Sequence, residues 1–448
     1  MPNVRCPLRE AAQDAPQQTA IITQNLTLSF SELDSYTSAL CQYLHQIGIR
    51  PSNRLAVFHP LDWRLIALFF AAWRLGAVVC PLNTRLPPAQ IASSLSRLSP
   101  SLYITDLNFP FKGPTPYFTH LALSPDPLAF LLFTSGSSGT PKIAALSLSN
   151  LLVNARHAIE AIDLKKNDRW LLSLPLFHVG GIGIVLRCIL ARAAIVLDER
   201  DPNITHISYV PAQLYKAWPV YKNLRCVLLG GSSIASYPGH LPIYGTYGLT
   251  EMGSLVTARL HPPFQKGELF LGHPLPGREL RIAPDGEILL KGKCLFEGYW
   301  EEGRTTLPLD EEGWFATGDI GHYCKKEGLA ILGRKDWQFI SGGENIQPEE
   351  IEKELLSLPQ IEEAVVVPLK DPEFGHRPAA VVRLRDSAFD LKRIQTALSD
   401  KLPKYKIPAA LLILDEIPKN SLKADRKQIF ELVNKTFLKK RIFLFSKF

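Results

Sequence analysis

The feature that most constrains this chain is a repeated switch of hydrophobic period through its first half. SFSELDSYTSALCQYLHQIG (29–48) carries apolar residues at helical spacing, with Ser29 or Ser31 placed to cap it and Gly48 to close it. RLAVF (54–58) is a short strand-like run, WRLIALFFAAWRLG (63–76) is helical again, and AVVCPLN (77–83) is a second strand. The alternation continues through WLLSLPLF (170–177), AAIVLD (193–198), HISYVP (206–211), RCVLLGG (225–231) and LPIYGTYG (241–248). Short apolar strands separated by helices need crossover connections, which predicts layered α/β structure with largely parallel strands.

From about residue 265 the pattern changes: the segment GELFLGHPLPGRELRIAPDGEILLKGKCLFEGYW (267–300) is rich in Gly and Pro, has few helical periods, and reads as a β-rich subdomain. After GRKD (333–336) comes a helix in PEEIEKELLSL, strands in EAVVVPL and AAVVRLR, then another helix and a final strand. At 448 residues the chain is too long for one small core. The expected fold is therefore α/β. A large N-terminal layered region with a β-rich subdomain spans 1–334, and a small C-terminal α+β domain spans 335–448.

Composition narrows the function classes. A net charge of +7 is mild for this length, and no dense Lys/Arg face with interleaved aromatics points to nucleic acid. The seven cysteines are scattered without a CxxC pair, which reads as reduced thiols in a cytosolic protein, so a cytoplasmic location is expected. The start, MPNVRCPLREAAQDAP, lacks the apolar core of a signal peptide. The most hydrophobic stretch, Leu65 to Cys80, is broken by Arg74 and preceded by Arg64, so no integral membrane segment is expected. The basic, apolar end KKRIFLFSKF fits a packed terminal segment or contact with a membrane surface. A homodimer is left open.

The buried-strand pattern LAFLLF (128–133) runs directly into TSGSSGTPK (134–142). Small residues allow backbone to approach phosphate oxygens, the hydroxyls add donors, and Lys142 adds positive charge. The spacing is not that of a Walker A loop, because Gly136 and Gly139 are too close and Pro141 precedes the lysine. On composition alone a flexible surface turn explains the loop equally well.

The string itself resembles the phosphate loop of the acyl-adenylate-forming superfamily, and further motifs of that family follow in order. The resemblance implies that Thr134, Ser135, Gly136, Ser137, Ser138, Gly139, Thr140 and Lys142 cradle the phosphates of ATP, with Thr134 in the catalytic set. YGTYGLTE (244–251) resembles the adenine and metal motif, which implies Thr246, Tyr247 and Gly248 beside the nucleotide, Thr250 on phosphate, and Glu251 as catalytic ligand of Mg²⁺. GWFATGDIG (313–321) resembles the ribose motif, making Asp319 the acceptor for ribose hydroxyls. GRKDWQFISGGENIQPEEIE (333–352) resembles the junction between the two domains: Arg334 a second ribose contact, Asp336 the hinge, Gly342 and Gly343 the approach for the thiol arm of coenzyme A. The catalytic lysine aligns with Lys423 in IPKNSLKADRKQI, a segment one residue shorter than the family pattern, with Leu422 in place of glycine and with Lys419 and Lys427 close by. The family's small domain is mobile: it delivers the lysine for adenylation and then rotates for thiolation.

These residue types suit the chemistry. A carboxylate is a poor acyl donor, and attack on the α-phosphorus of ATP converts it to a mixed anhydride whose leaving group is AMP. Both reactants are anions, so catalysis is mainly positioning and charge neutralisation. A carboxylate beside phosphate is repulsive unless a divalent cation bridges them, and Mg²⁺ prefers oxygen ligands.

The acid is addressed by LPLFHVGGIGIVLRCILARAAIVL (174–197). By the resemblance, His178 borders the acyl pocket and belongs to the catalytic set. Arg187 is the lone charge on a helix that is otherwise apolar all round, and burying it is costly without an anion. The anion is either a protein carboxylate or an anionic group of the substrate. This pattern, with THISYVPAQLYKA (205–217) and SGGENIQPEEIE (341–352), resembles the o-succinylbenzoate–CoA ligases of menaquinone synthesis, whose substrate carries two carboxylates. Ser208 and Gln213 would add polar contacts, and Ser232 in LGGSSI (229–234) would face the acid or adenine. Ile143 and Leu148 depart from residues frequent in the wider superfamily. Two other readings stand: another aryl- or acyl-CoA ligase or carrier-loading adenylation enzyme, and a nucleotide-binding relative without turnover.

Overall fold

The computed structural model describes residues 6–109, 128–134, 141–216, 221–231, 234, 237–265, 268–342, 344–371, 373–385, 391–399, 401–420, 423–438 and 443–444. Two large sheets dominate the first three hundred residues. In the eight-stranded sheet the spatial order is Ser254–Leu260, Ile243–Leu249, Cys226–Leu229, His206–Tyr209, Arg169–Leu171, Ala194–Val196, Thr19–Ile22 and Thr27–Ser29. All its pairings are parallel except at the two edges. The seven-stranded sheet runs Arg304–Thr306, Gly298–Glu301, Lys142–Ser147, Leu128–Thr134, Val78–Pro81, Arg54–Val57 and Leu102–Ile104, parallel only across its last four strands.

Of the two caps the sequence offered for the first long helix, the structure uses Ser29. Ser29 caps Phe30–Gln46 and closes a capping box with Glu32; Ser147 and Asn150 do the same for Leu148–Ile162. The longest apolar run resolves into a helix, Trp63–Arg74, and a strand, Val78–Pro81, with buried Arg74 paired to Asp34. Among the described residues no helix is long and apolar enough to cross a membrane. All seven cysteines are free thiols.

The β-rich region forms a four-stranded antiparallel sheet of Arg278–Ile282, Glu287–Gly292, Phe315–Cys324 and Gly328–Arg334. Beyond it, Ile361–Asp371, Gly375–Leu384, Ala410–Ile413 and Phe443–Leu444 make a separate sheet. Successive strand residues face opposite sides. Val366, Ala380 and Val382 pack with Ile351, Leu355, Ile394 and Leu398 on one face; Val365, Val367 and Val381 pack with Ile429 and Val433 on the other. The second face is covered by a helix, Arg426–Leu438, that the sequence reading did not anticipate. Its Asp425 accepts from the Gln428 amide at 3.0 Å, a cap inside a stretch read only for its lysines.

Candidate active site

Parallel strands send their following loops to one edge, and in such sheets the crevice outside the carboxyl ends is where ligands bind. Here the loop 172–178, the turn after Tyr209, the turn after Leu229 and the end of Ile243–Leu249 share that edge. Beside it, Leu128–Thr134 pairs antiparallel with Lys142–Ser147, and Thr134 faces Lys142 across the mouth of the hairpin. Ser135, Gly136, Ser137, Ser138, Gly139 and Thr140 lie outside the described residues. The Thr134 hydroxyl donates to the Lys142 carbonyl at 3.4 Å. The Lys142 ammonium stands 4.5 Å from the centre of the Tyr299 ring.

Glu251 sits in the single turn Thr250–Met252 that ends the Ile243–Leu249 strand. Its backbone carbonyl accepts from the Phe296 amide at 2.8 Å, and its carboxylate accepts from the Tyr299 hydroxyl at 2.8 Å. Tyr299 reaches it because Gly298–Glu301 pairs with Lys142–Ser147, with Tyr299 opposite Ala144. Burial and the neighbouring Glu251 charge push the phenol well above its usual range, so it remains a donor. Sequence reasoning missed Tyr299; its only signal was the GYW triplet in a β-like run.

Thr246 is buried, its hydroxyl donating to the Leu229 carbonyl at 3.1 Å. At Gly248 an added Cβ would meet the Ser254 carbonyl oxygen at 2.3 Å, so only glycine lets the strand turn back there. The Tyr247 hydroxyl donates to Asp319 at 2.6 Å, and burial followed by the Asp319 charge holds that phenol protonated. Asp319 also accepts from Arg334 at 3.0 Å, and Arg334 donates to Asp336 at 2.8 Å. Burial works against the Arg334 charge, but the two carboxylates outweigh it and raise its pKa. The ribose pair and the hinge residue of the sequence reading are thus one ion-pair chain. Next to it, Lys335 bonds Asp285 and Glu287, each at 2.7 Å, tying the junction to the four-stranded sheet.

Gly342 takes φ +57, with its amide donating to the Phe374 carbonyl at 3.0 Å. Gly343 lies outside the described residues. Lys423 is on a short hairpin, Lys419–Asn420 paired with Lys423–Ala424. Of its two competitors, Lys419 is held by Glu363 at 2.7 Å, while Lys427 stands exposed on the helix that follows.

Among the residues expected to border the acid, His178 occupies the position before the helix Val179–Ala191, its ring 4.6 Å from that of Phe177. Arg187 is 2% exposed. One terminal nitrogen donates to the Ser254 hydroxyl at 3.0 Å, the guanidinium lies 5.6 Å from the centre of the Trp170 ring, and its Nε has no partner. Among the described residues no carboxylate comes within ion-pair distance of it, so the protein-carboxylate alternative finds no support there. Burial pulls its pKa down to about 10, which leaves it charged at neutral pH. Ser208 is buried with an unpartnered hydroxyl. Gln213 instead folds back, its side-chain oxygen accepting from the Val210 amide at 3.0 Å, and it lines a cleft of about 530 Å³ with Ser173 and Tyr209. Ser232 lies outside the described residues. Ser254, 67 residues from Arg187, is a second site residue that no local pattern marks.

The donor chemistry also bears on the metal. The described residues hold no group of three or more His, Cys, Asp or Glu fit for a metal, so no all-protein cage exists among them. A single carboxylate at the crevice, next to Thr250, matches a cation that takes its other ligands from phosphate and water, as Mg²⁺ does.

A family model described as AMP-binding enzyme matches residues 8–300, and one described as AMP-binding enzyme C-terminal domain matches 350–423. The chain belongs to the AMP-binding enzyme family. It is 33% identical over 451 residues to the 2-succinylbenzoate–CoA ligase of Salmonella typhimurium, covering 95% of this chain and 97% of that one. Bacillus subtilis o-succinylbenzoate CoA synthetase (MenE), in complex with the acyl-adenylate intermediate OSB-AMP, superposes with a TM-score of 0.85 at 26% identity, covering 95% and 98%. MenE from the same organism in complex with ATP and magnesium ion gives 0.83 at 26%, covering 94% and 98%. The two family models leave residues 301–349 between them, and the layered α/β architecture with a smaller C-terminal domain is that of these enzymes.

Proposed function

We propose that this AMP-binding enzyme is an acid–CoA ligase that activates o-succinylbenzoate with ATP and passes the acyl group to coenzyme A. The observation that carries the choice of acid is Arg187: a buried, charged guanidinium with no carboxylate beside it among the described residues. A charge so placed is costly unless an anion meets it, and the planar fork suits a carboxylate. One carboxylate of the substrate becomes the adenylate and the other pairs with Arg187. A monocarboxylate pocket has no use for such a residue. The ligase relatives and the MenE complex with OSB-AMP support the same acid.

The remaining roles are those the family's motifs imply. Thr134, Lys142 and the loop between them embrace the phosphates. Thr246, Tyr247, Gly248 and Thr250 flank the nucleotide, and Asp319 with Arg334 accepts the ribose. Glu251 holds Mg²⁺, which when bound offsets charge on the phosphates. Tyr299 keeps that carboxylate aimed, and its ring seats Lys142. His178 walls the acyl pocket with Ser208, Gln213 and Ser232. Lys423 stabilises charge at the α-phosphate during adenylation, and the ion pair of Lys419 with Glu363 favours Lys423 over that neighbour. The chain divides at 334/335, with Asp336 as hinge, and Gly342–Gly343 admits the thiol.

The reading is tested by pyrophosphate release from ATP and Mg²⁺ with a panel of carboxylic acids. o-Succinylbenzoate should be turned over with the highest kcat/KM, and a monocarboxylate preferred over it would overturn the assignment.

A further inference from the structure

Two residues hold Arg187 in place, Gly183 and Ser254. The helix Val179–Ala191 carries a glycine at position 183, one turn before Arg187 on the same face. A Cβ built there would lie 2.9 Å from one terminal nitrogen of Arg187, 3.2 Å from the central carbon and 3.4 Å from the other nitrogen. The guanidinium therefore occupies the space that a side chain at position 183 would need. Glycine in a helix interior is unfavourable relative to alanine, so the helix gives up stability where the arginine needs room.

The second residue is Ser254. Its φ of +125 is a conformation that side-chain-bearing residues rarely adopt. The strained backbone is kept in place by Asn154, whose amide donates to the carbonyls of Met252 at 2.8 Å and Leu255 at 2.9 Å, and by Arg278, which donates to Leu255 at 2.8 Å. Its hydroxyl is thus a fixed acceptor for Arg187 at 3.0 Å. Strain of this kind persists where surrounding structure over-determines it, and it clusters at functional sites. With Trp170 on one side, the fork is locked on three sides before any ligand arrives.

We propose that Gly183 and Ser254 are positioning residues that set the specificity of the enzyme for an acid with a second carboxylate, by pre-ordering the guanidinium of Arg187. The proposal rests on the function stated above. An ordered fork spares the binding step the entropy of immobilising a long side chain. A methyl group at position 183 shifts the guanidinium away while favouring the helix, so acid recognition is lost without loss of fold.

The test compares Gly183→Ala, Ser254→Ala, Ser254→Gly and Arg187→Ala in the full enzyme, reading KM for o-succinylbenzoate, kcat and melting temperature. Gly183→Ala and Ser254→Ala should each raise that KM about tenfold or more, with kcat changed less, and Ser254→Gly, which relieves the positive φ while removing the hydroxyl, should raise KM alike without melting below the parent. Gly183→Ala should melt no lower than the parent; if it melts lower, Ser254→Gly decides. If Arg187→Ala raises KM while the positioning variants stay within about twofold, this proposal fails and the function stands. If Arg187→Ala itself leaves KM unchanged, the assignment of the acid fails instead.

Discussion

The Tyr299 hydroxyl donates to the Glu251 carboxylate at 2.8 Å, and the face of the same ring lies under the ammonium of Lys142 at 4.5 Å. One aromatic side chain thus joins the hairpin of Leu128–Thr134 and Lys142–Ser147 to the carboxylate proposed to hold magnesium, although Lys142 and Glu251 are over a hundred positions apart in sequence. The phenyl ring and the hydroxyl do separate jobs, which makes the joint testable.

Tyr299→Phe keeps the ring beneath Lys142 and removes only the donor. Glu251 then loses its aim, so pyrophosphate release should fall about tenfold and half-saturation by Mg²⁺ should move to higher concentration. Tyr299→Leu also removes the seat of Lys142 and should further weaken ATP binding, measured by calorimetry without acid. Equal Mg²⁺ titrations for the phenylalanine variant and the parent would count against the role given to Tyr299.

Burial lowers the Arg187 pKa to about 10, which at neutral pH corresponds to a folding penalty on the order of a few kcal/mol for the charged side chain. A base whose folded pKa is depressed loses that penalty only as pH rises past the folded value. Arg187→Met keeps most of the volume without the charge. It should raise the melting temperature of the ligand-free enzyme and at the same time sharply raise KM for o-succinylbenzoate. A variant that melts lower would mean that the Ser254 hydrogen bond and the Trp170 ring outweigh the cost of burying the charge.

Lys423→Ala should abolish adenylation yet still transfer the acyl group from pre-formed acyl-AMP to coenzyme A. Lys419→Ala breaks only the ion pair with Glu363 and should cost adenylation less than about threefold. Half-reaction assays on both variants check the assignment, and retention of both half-reactions in Lys423→Ala would move the role elsewhere.

His206 is buried under Trp170, with Nε2 unpartnered, and burial brings its pKa down from 6.5 to about 4. The unfolded chain then binds more protons than the folded one between those values. Stability should fall as pH drops from about 6.5 toward 4, by up to about 1.4 kcal/mol per pH unit from this group. Urea unfolding of the parent and His206→Gln across that window measures it; the variant should show the shallower slope.

Much of this architecture was readable because its signals are local. Periodicity in 29–83 placed helices and parallel strands, and of the two candidate caps, Ser29 and Ser31, it is Ser29 that starts the helix. The isolation of Arg187 on an apolar helix was visible for the same reason. What holds Arg187 was not, since Ser254 belongs to another strand and its φ of +125 has no sequence signature in a serine. Tyr299 was hidden likewise, because strand pairing with Ala144 brings it to Glu251. The helix Arg426–Leu438 was obscured by the basic stretch at its start, although Ile429 and Val433 stand four apart on its buried face. Gln213 was expected on the ligand side from its place after a strand, and the bond its side-chain oxygen accepts from the Val210 amide is a contact that no local pattern announces.

The most direct measurement supplies o-succinylbenzoate, ATP, Mg²⁺ and coenzyme A together and follows AMP, pyrophosphate and the thioester. The account predicts one AMP and one pyrophosphate for each o-succinylbenzoyl-CoA formed, with acyl-AMP accumulating when coenzyme A is withheld. Release of ADP and phosphate, or turnover of monocarboxylates with none of this diacid, would contradict it.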